Sequence, residues 1–131
     1  MFEHAKATPM IAVRDLDRGR RFYEGTLGLK PVGPKDDGYQ IYQSGDSRLT
    51  IYRSQYAGTN KATALAWEVE DAEAAVRDLK TKGVTFEHYD LPGTERQGDV
   101  HVGGGIKNAW FRDPDGNILS VMSEVEAGAN R

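Results

Sequence analysis

Residues 10–28, MIAVRDLDRGRRFYEGTLG, open with a short apolar run and continue into a segment whose aromatic and leucine side chains recur at helical spacing. Asp15 precedes this segment and Gly28 follows it, as is typical where a helix begins and ends. The stretch therefore predicts a strand over Met10–Val13 and a helix over residues 18–27 that stops at Gly28.

The same order of strand, helix and glycine returns in residues 65–83, LAWEVEDAEAAVRDLKTKG. A shift of 55 residues sets Gly28 on Gly83. The spacing of the apolar residues before Gly83 predicts a second helix over residues 71–82. The chain thus contains an internal repeat of one strand and one helix.

A hairpin follows each of these units. The hairpins are predicted over residues 39–43 and 49–53, and over residues 109–112 and 118–123. A shift of 70 residues sets Leu49 on Leu119. The repeat predicts an α+β fold of two βαβββ modules, residues 8–56 and 62–124. Because neither module alone covers its sheet, we expect one domain, residues 1–131, with eight strands.

The connection over residues 91–107 is rich in glycine. A long connection in a small domain tends to be a lid or an irregular excursion. We therefore expect a loop here, with no strand of its own.

Composition excludes several classes of function. The chain has 131 residues, a hydrophobic fraction of 38% and a net charge of -3, too little positive charge for nucleic-acid binding. It holds no cysteine, which excludes thiol nucleophiles, disulfides and cysteine-ligated metals. No apolar run is long enough to cross a bilayer, and the first residues lack the apolar stretch of a signal peptide. We expect a cytoplasmic protein with no membrane or nucleic-acid partner.

The chain resembles the vicinal oxygen chelate superfamily, which groups glyoxalases, extradiol dioxygenases, fosfomycin-resistance and bleomycin-binding proteins. The resemblance rests on VRDLDR at 13–18, FY at 22–23, LGL at 27–29, VED at 69–71, KGV at 82–84 and WFRDPDGN at 110–117. It implies the glyoxalase/bleomycin resistance/dihydroxybiphenyl dioxygenase fold, a cupped mixed sheet with helices on its outer face. It also implies a small-molecule site on the concave face and a homodimer.

The metal-dependent members of this superfamily carry His, Glu or Gln at four positions. By the resemblance, these positions are Thr8, Thr50, Ala64 and Ser120 in this chain. Hydroxyl and methyl groups do not hold a catalytic divalent ion at useful affinity, so we predict no metal and no cofactor. His4, His88 and His101 show no ligand spacing and are interpreted as surface residues. A rebuilt centre using Glu68, Glu124 and one loop histidine is the alternative.

Strand alternation then assigns the side chains that face the concave surface. The predicted ligand-binding residues are Thr8, Met10, Thr50, Tyr52, Ala64, Ala66, Trp110, Ser120 and Met122. They are mostly small or apolar, which suits an amphipathic or aromatic ligand held by shape. Alternation leaves open whether Trp110 or Phe111 points inward. Residues 113–117, DPDGN, are interpreted as a turn and not as a site.

Two functions agree with this pattern. The first is a metal-free protein that binds or sequesters a small hydrophobic or aromatic molecule, as bleomycin-resistance proteins do. The second is a glyoxalase-like or dioxygenase-like metalloenzyme with a non-standard metal site, whose chemistry would be that of a lyase or a dioxygenase. No catalytic residue is predicted, because no histidine or carboxylate has the inward parity near the hydroxyl groups. Whether the protein is an enzyme therefore stays open.

Overall fold

The chain forms two compact units. The computed structural model describes residues 1–125, and residues 126–131 of the predicted domain lie outside the described residues. The first unit consists of Met1–Asn60 and Asp113–Asn117, and the second of Lys61–Arg112 and the chain from Ile118. The turn at residues 113–117 therefore belongs to the first unit, although it joins two strands of the second.

The first unit contains a four-stranded sheet and one helical segment. Its elements are β1 (Met10–Val13), α1 (Leu16–Arg20), which continues as a π-helical segment (Arg21–Thr26), β2 (Lys30–Val32), β3 (Tyr39–Ser44) and β4 (Ser47–Arg53). The strand order is β1-β4-β3-β2, with β1 parallel to β4 and the other neighbours antiparallel. The predicted strand at 10–13 and the first hairpin are confirmed. The helical segment begins two residues before the predicted 18–27.

One face of this sheet packs against the helix. Ile11, Val13 and Ile51 are buried on this face. Gly19 lies so close to the sheet that a Cβ atom there would stand 3.1 Å from Cδ1 of Ile51. Because successive strand residues point to opposite faces, the predicted lining residues of β1 and β4 point away from the helix.

The second unit contains a six-stranded sheet and one helix. Its elements are β5 (Thr63–Glu68), α2 (Ala72–Thr81), β6 (Phe86–Glu87), β7 (Glu95–Gln97), β8 (Val100–Gly103), β9 (Ile106–Arg112) and β10 (Ile118–Glu124). The strand order is β5-β10-β9-β8-β7, and β6 also pairs with β9. The strands β5 and β10 are parallel, as β1 and β4 are. Within residues 1–125 the chain has ten strands, where the sequence predicts eight.

Both helices start at equivalent aspartates. Oδ1 of Asp15 accepts a hydrogen bond from the backbone N–H of Arg18 at 3.1 Å. Oδ1 of Asp71 accepts one from Ala74 at 3.1 Å. A carboxylate at this position satisfies an N–H group that has no partner inside the helix. The helix predicted over residues 71–82 is confirmed, with Asp71 and Lys82 as its caps.

The glycine-rich connection is a hairpin, and its prediction as a loop was wrong. Gly98 turns the chain between β7 and β8 with φ of +63°, and Gly104 and Gly105 turn it into β9 with φ of +62° and +78°. Positive φ at both residues of a two-residue turn is the geometry that joins antiparallel strands. A Cβ atom on Gly103 would stand 2.4 Å from the carbonyl oxygen of Gly93, so the chain folds back tightly here. The glycines therefore specify tight turns and close packing of the backbone, and not a long irregular loop.

The turn at residues 113–117 surrounds a buried carboxylate. Oδ1 of Asp113 accepts hydrogen bonds from the backbone N–H groups of Asp115 and Asn117, both at 2.9 Å. Oδ2 accepts from the hydroxyl of Tyr23 at 2.8 Å and from Nδ2 of Asn117 at 2.7 Å. We call Tyr23, Asp113 and Asn117 the Asp113 network. The motif is structural, as its sequence predicts.

Further hydrogen bonds connect this turn to the rest of the first unit. Nη2 of Arg18 lies 2.8 Å from Oδ1 of Asp115. Nδ2 of Asn117 also donates to the carbonyl oxygen of Ala12 at 2.8 Å, and Oδ1 of Asn117 accepts from the N–H of Gly58 at 3.2 Å. Gly58 has φ of +73°, and a Cβ atom there would stand 1.8 Å from the carbonyl oxygen of Asp115. Only glycine fits at this position.

The predicted α+β class is confirmed, because each unit combines a mixed sheet with helical segments. Among residues 1–125, no helix has the length and apolar character needed to span a bilayer.

Candidate functional site

The predicted lining residues of the first unit lie on the sheet face that is turned away from the helix. Met10 is in register with Thr50, and Ala12 with Tyr52. Met10 is 55% exposed, whereas Thr50 is 8% exposed. Thr8 precedes β1 and is exposed. The structure therefore brings Met10, Thr50 and Tyr52 to one face, with Thr8 just outside the strand.

In the second unit, Trp110 and not Phe111 shares a face with the predicted lining residues. Ser120 is in register with Trp110 on one side and with Ala66 on the other. The three side chains form a row across β9, β10 and β5. Phe111 lies on the opposite face and is fully buried, with its ring centroid 5.6 Å from that of Phe86. The register thus decides an orientation that the sequence leaves open.

A bulge in β5 changes the partner of Trp110. Thr63 and Leu65 pair with consecutive residues of β10, so Ala64 is an extra residue in its strand. Thr63 therefore meets the indole, whose Nε1–H donates to Oγ1 of Thr63 at 3.0 Å. Because β10 lies between β9 and β5, the indole extends across β10 beside Ser120. Strict alternation along β5 predicts Ala64 on this face. The bulge shifts the alternation by one residue, so Thr63 lies there as well, which the sequence pattern does not predict.

His101 is a buried residue of this face, and its prediction as a surface residue was wrong. It is 2% exposed and in register with Asn108. Its Nε2 accepts a hydrogen bond from the backbone N–H of Tyr89 at 3.0 Å. Its ring centroid lies 5.0 Å from that of Trp110 in a T-shaped arrangement. The sequence pattern does not reveal His101, because it predicts a loop where the structure has the strand β8.

We call Tyr89, His101, Asn108 and Trp110 the Trp110 cluster. In the part of the second unit that the structure describes, the Tyr89 hydroxyl, Nδ1 of His101 and Oδ1 of Asn108 are buried without a hydrogen-bond partner. Because Nε2 of His101 accepts a backbone N–H, the neutral imidazole carries its proton on Nδ1, which makes Nδ1 a donor. Native proteins seldom leave buried polar atoms unpaired, so such atoms require an explanation.

An open groove of about 790 Å³ lies at the end of β10. Met122, a predicted lining residue, lines this groove and is in register with Asn108. Glu68, Ile106 and Glu124 line it as well. The volume falls in the range of about 300–1,000 Å³ that small-molecule sites have.

The side chains present do not fit a metal centre of the superfamily type. The four positions implied by the resemblance hold Thr8, Thr50, Ala64 and Ser120. These residues offer neither imidazole nor carboxylate ligands. Throughout residues 1–125, no three His, Asp or Glu side chains lie close enough together to hold a metal ion. Glu68 and Glu124, the carboxylates of the alternative centre, are both exposed.

The two remaining histidines are surface residues, as predicted. The side chain of His4 is 94% exposed. His88 is half-exposed, and its Nε2 lies 2.7 Å from Oδ1 of Asp99. Nζ of Lys80 lies 2.5 Å from Oδ2 of the same carboxylate. The hydrogen bond from Lys80, and then that from His88, hold the pKa of Asp99 below its usual value. His88 thus belongs to a surface ion-pair cluster.

Residues 3–121 match the family model of the glyoxalase/bleomycin resistance protein/dioxygenase superfamily. The bleomycin-binding protein of Streptomyces verticillus, solved with copper(II)-bleomycin, is 24% identical, with a TM-score of 0.66 over 92% of this chain and 97% of that chain. Lactoylglutathione lyase from Agrobacterium tumefaciens is 17% identical, with a TM-score of 0.67 over 91% of this chain and 92% of that chain. A fosfomycin resistance protein from Mesorhizobium loti is 16% identical, with a TM-score of 0.66 over 100% of both chains. The likeness in structure shows the fold, and the family model covers most of the sequence, so the chain belongs to the glyoxalase/bleomycin resistance protein/dioxygenase superfamily.

Proposed function

We propose that the protein binds a small hydrophobic or aromatic organic molecule and needs no metal ion to do so. The observation that carries this proposal is the Trp110 cluster, in which an indole lies beside three unpartnered polar atoms. An aromatic surface stacks on a planar ligand, and a few polar atoms orient it. A planar molecule with a small polar edge suits this combination.

The proposed binding surface is the face of the second sheet that carries Trp110. Ala66 and Ser120, in the same row as Trp110, are small and leave space next to the indole. The groove at Met122 supplies the volume for the rest of the molecule. The ligand-binding roles of Thr8, Met10, Thr50, Tyr52 and Ala64 stay predictions.

The metal-free part of the proposal rests on the donor set. Alanine and hydroxyl side chains at the four implied positions leave a divalent ion without charged or imidazole ligands. A lyase or dioxygenase activity of the superfamily type would therefore need a centre built from other residues.

The similar structures support small-molecule binding on this fold. They include a bleomycin-binding protein and a fosfomycin resistance protein. At 16–24% identity they point to no particular ligand for this chain. The net charge of -3 argues against nucleic-acid partners. A cytoplasmic location and a homodimer stay predictions.

The binding proposal is tested by titrating the protein with quinoline and with indole while the two tryptophan indole N–H signals are followed by NMR. Trp67 is the internal control, because it is in register with Val121 on the opposite face of the sheet. We expect a saturable shift of the Trp110 signal and a constant Trp67 signal. Equal shifts of both signals, or none, would contradict the proposal.

The metal-free part is tested by mass spectrometry of the metal content of protein purified without an affinity tag. Thermal melts with added zinc, nickel, manganese and iron accompany it. We expect less than a tenth of an equivalent of metal and an unchanged Tm. About one equivalent of a metal together with a raised Tm would overturn this part and favour the metalloenzyme.

A further inference from the structure

The ring of Tyr89 fills the space next to Trp110 and His101. Its centroid lies 5.3 Å from that of Trp110, at an interplanar angle of 76°, and 6.2 Å from that of His101. Tyr89 belongs to the connection between the two-residue strand β6 and β7. A phenol ring in this position has the size and the apolar faces of a small planar ligand.

Tyr89 is held in this position incompletely. Its backbone N–H donates to Nε2 of His101, but its buried hydroxyl has no partner. In water that hydroxyl would donate and accept hydrogen bonds. In the observed position the Tyr89 hydroxyl therefore makes no hydrogen bond, and an outward movement of the ring would let it bond to water.

Two of the unpartnered atoms of the Trp110 cluster form a complementary pair. His101 presents a donor at Nδ1, and Asn108 presents an acceptor at Oδ1. The two residues are in register on β8 and β9, so their side chains stand next to each other on one face. A ligand edge that carries an acceptor beside a donor would satisfy both atoms at once.

We propose that the ligand is a planar compound with a hydrogen-bond acceptor next to a donor, as in a lactam, and that it binds by displacing the Tyr89 ring. The ligand oxygen accepts from Nδ1–H of His101, and its N–H donates to Oδ1 of Asn108. Its plane takes the place of the phenol against Trp110, and the Tyr89 hydroxyl becomes hydrated. This inference rests on the proposed function, because it defines the polar edge of the same ligand.

The polar edge is tested with three probes of similar shape. 2-Quinolone carries the lactam, N-methyl-2-quinolone keeps the plane and the carbonyl but lacks the N–H, and quinoline lacks both groups of the lactam. Each Kd is taken from a titration of the Trp110 indole signal, and long-range NMR spectra report the Nδ1 resonance of His101. We expect 2-quinolone to bind at least ten-fold tighter than N-methyl-2-quinolone and to shift the Nδ1 resonance. In Asn108→Leu, which lacks the acceptor, this ten-fold preference should vanish.

The displacement is tested with two variants of Tyr89. Tyr89→Ala removes the ring, so 2-quinolone should bind at least five-fold tighter than to the wild type. Tyr89→Phe keeps the ring but removes the hydroxyl that favours opening, so binding should weaken about three-fold. The control is Tyr56→Phe, since Tyr56 is 69% exposed and belongs to the first unit, and it should leave each Kd unchanged. If Tyr89→Ala does not fold, Tyr89→Phe alone decides.

The outcomes separate this inference from the function on which it rests. If all three probes shift Trp110 with equal Kd, the polar edge is overturned and aromatic binding stands. If neither variant of Tyr89 changes the Kd of 2-quinolone, the displacement is overturned. If no probe shifts Trp110 in the wild type or in Tyr89→Ala, the proposed function is overturned together with the inference.

Discussion

In the first unit, the buried carboxylate of Asp113 accepts four hydrogen bonds, whereas in the second unit three buried polar atoms of the Trp110 cluster have no partner. The ion pair next to Asp113 also leaves one atom of Arg18 and one of Asp115 unpartnered, but these two side chains bond each other at 2.8 Å. The unpartnered atoms of the second unit belong to three different side chains, and none of these three atoms bonds to another of them.

This difference shows how a structural polar cluster is distinguished from a candidate site. Residues 113–117 look functional in the sequence, yet the Asp113 carboxylate accepts four hydrogen bonds inside the fold and the Asp115 carboxylate pairs with Arg18. His101 lies in a glycine-rich stretch that suggests no site, yet it presents a free donor beside an indole. A satisfied cluster stabilises the fold, and an unsatisfied one is available to a ligand.

The largest effect is expected from Gly58→Ala, which disrupts the packing of residue 58 against the turn at residues 113–117. The new methyl group would stand 1.8 Å from the carbonyl oxygen of Asp115, so the turn must move. We expect the free energy of unfolding to fall by about 3–5 kcal/mol. Gly28→Ala is the matched control, because Gly28 has the same φ of +73° and nothing within 4 Å of the added Cβ atom. Gly28→Ala should lower the free energy of unfolding, measured by urea denaturation, by about 1–2 kcal/mol, because it adds only backbone strain. Equal losses of unfolding free energy in the two variants would show that residue 58 does not pack against the turn as described.

Tyr23→Phe removes one donor from the Asp113 carboxylate. We expect it to lower the free energy of unfolding by about 1.5–3 kcal/mol, as is usual for a lost hydrogen bond to a buried charged group. Tyr42→Phe is the control, since the Tyr42 hydroxyl donates at 2.7 Å to Glu24, which is partly exposed and can turn to water. Its loss should stay near 1 kcal/mol. A smaller loss for Tyr23→Phe than for Tyr42→Phe would contradict the structural role of the Asp113 network.

Alkaline pH should destabilise the protein through the same hydroxyl. Burial, and then the negative charge of Asp113, raise the pKa of Tyr23 above its usual value. The stabilisation is therefore complete below about pH 10, where tyrosine ionises in the unfolded chain, and is lost as the pH rises above that value. Tyr23 contributes up to about 1.4 kcal/mol per pH unit to this loss. Urea denaturation between about pH 9 and 11 should show a shallower decline for Tyr23→Phe. An identical decline in wild type and variant would contradict the prediction.

The smallest effect is expected from Tyr89→Phe, the same substitution at the unsatisfied cluster. Removing a buried hydroxyl that has no partner leaves no group unpaired. We therefore expect the free energy of unfolding to stay equal or to rise by up to about 1 kcal/mol. Thermal and urea denaturation of the ligand-free protein measure this directly. A loss as large as that of Tyr23→Phe would mean that the Tyr89 hydroxyl has a structural partner, and the contrast between the two clusters would disappear.

Short-range patterns in the sequence determined much of the fold. The apolar run of β1, the aspartates at both helix starts and the repeat after 55 residues predict the α+β class correctly, and the strand pattern of residues 39–53 predicts the first hairpin. These features depend on local backbone preferences and on the periods of helix and strand, which act over a few residues. The β7–β8 hairpin is missed because the glycines of residues 91–107 suggest a loop, whereas Gly98, with its positive φ, turns the chain between these two strands.

The sequence by itself also determined the family resemblance. That resemblance places Thr8, Thr50, Ala64 and Ser120 where metal-dependent members carry their ligands, and the residue types at these positions are read directly from the sequence. Only the tertiary structure decided that Trp110 and not Phe111 joins the predicted lining, and that His101 lies beside it. A bulge and a strand register set these orientations, and both result from pairing between segments that are far apart in sequence. Hydrogen-bond satisfaction depends on the same distant partners, so the unpaired atoms of the Trp110 cluster became visible only in the folded chain.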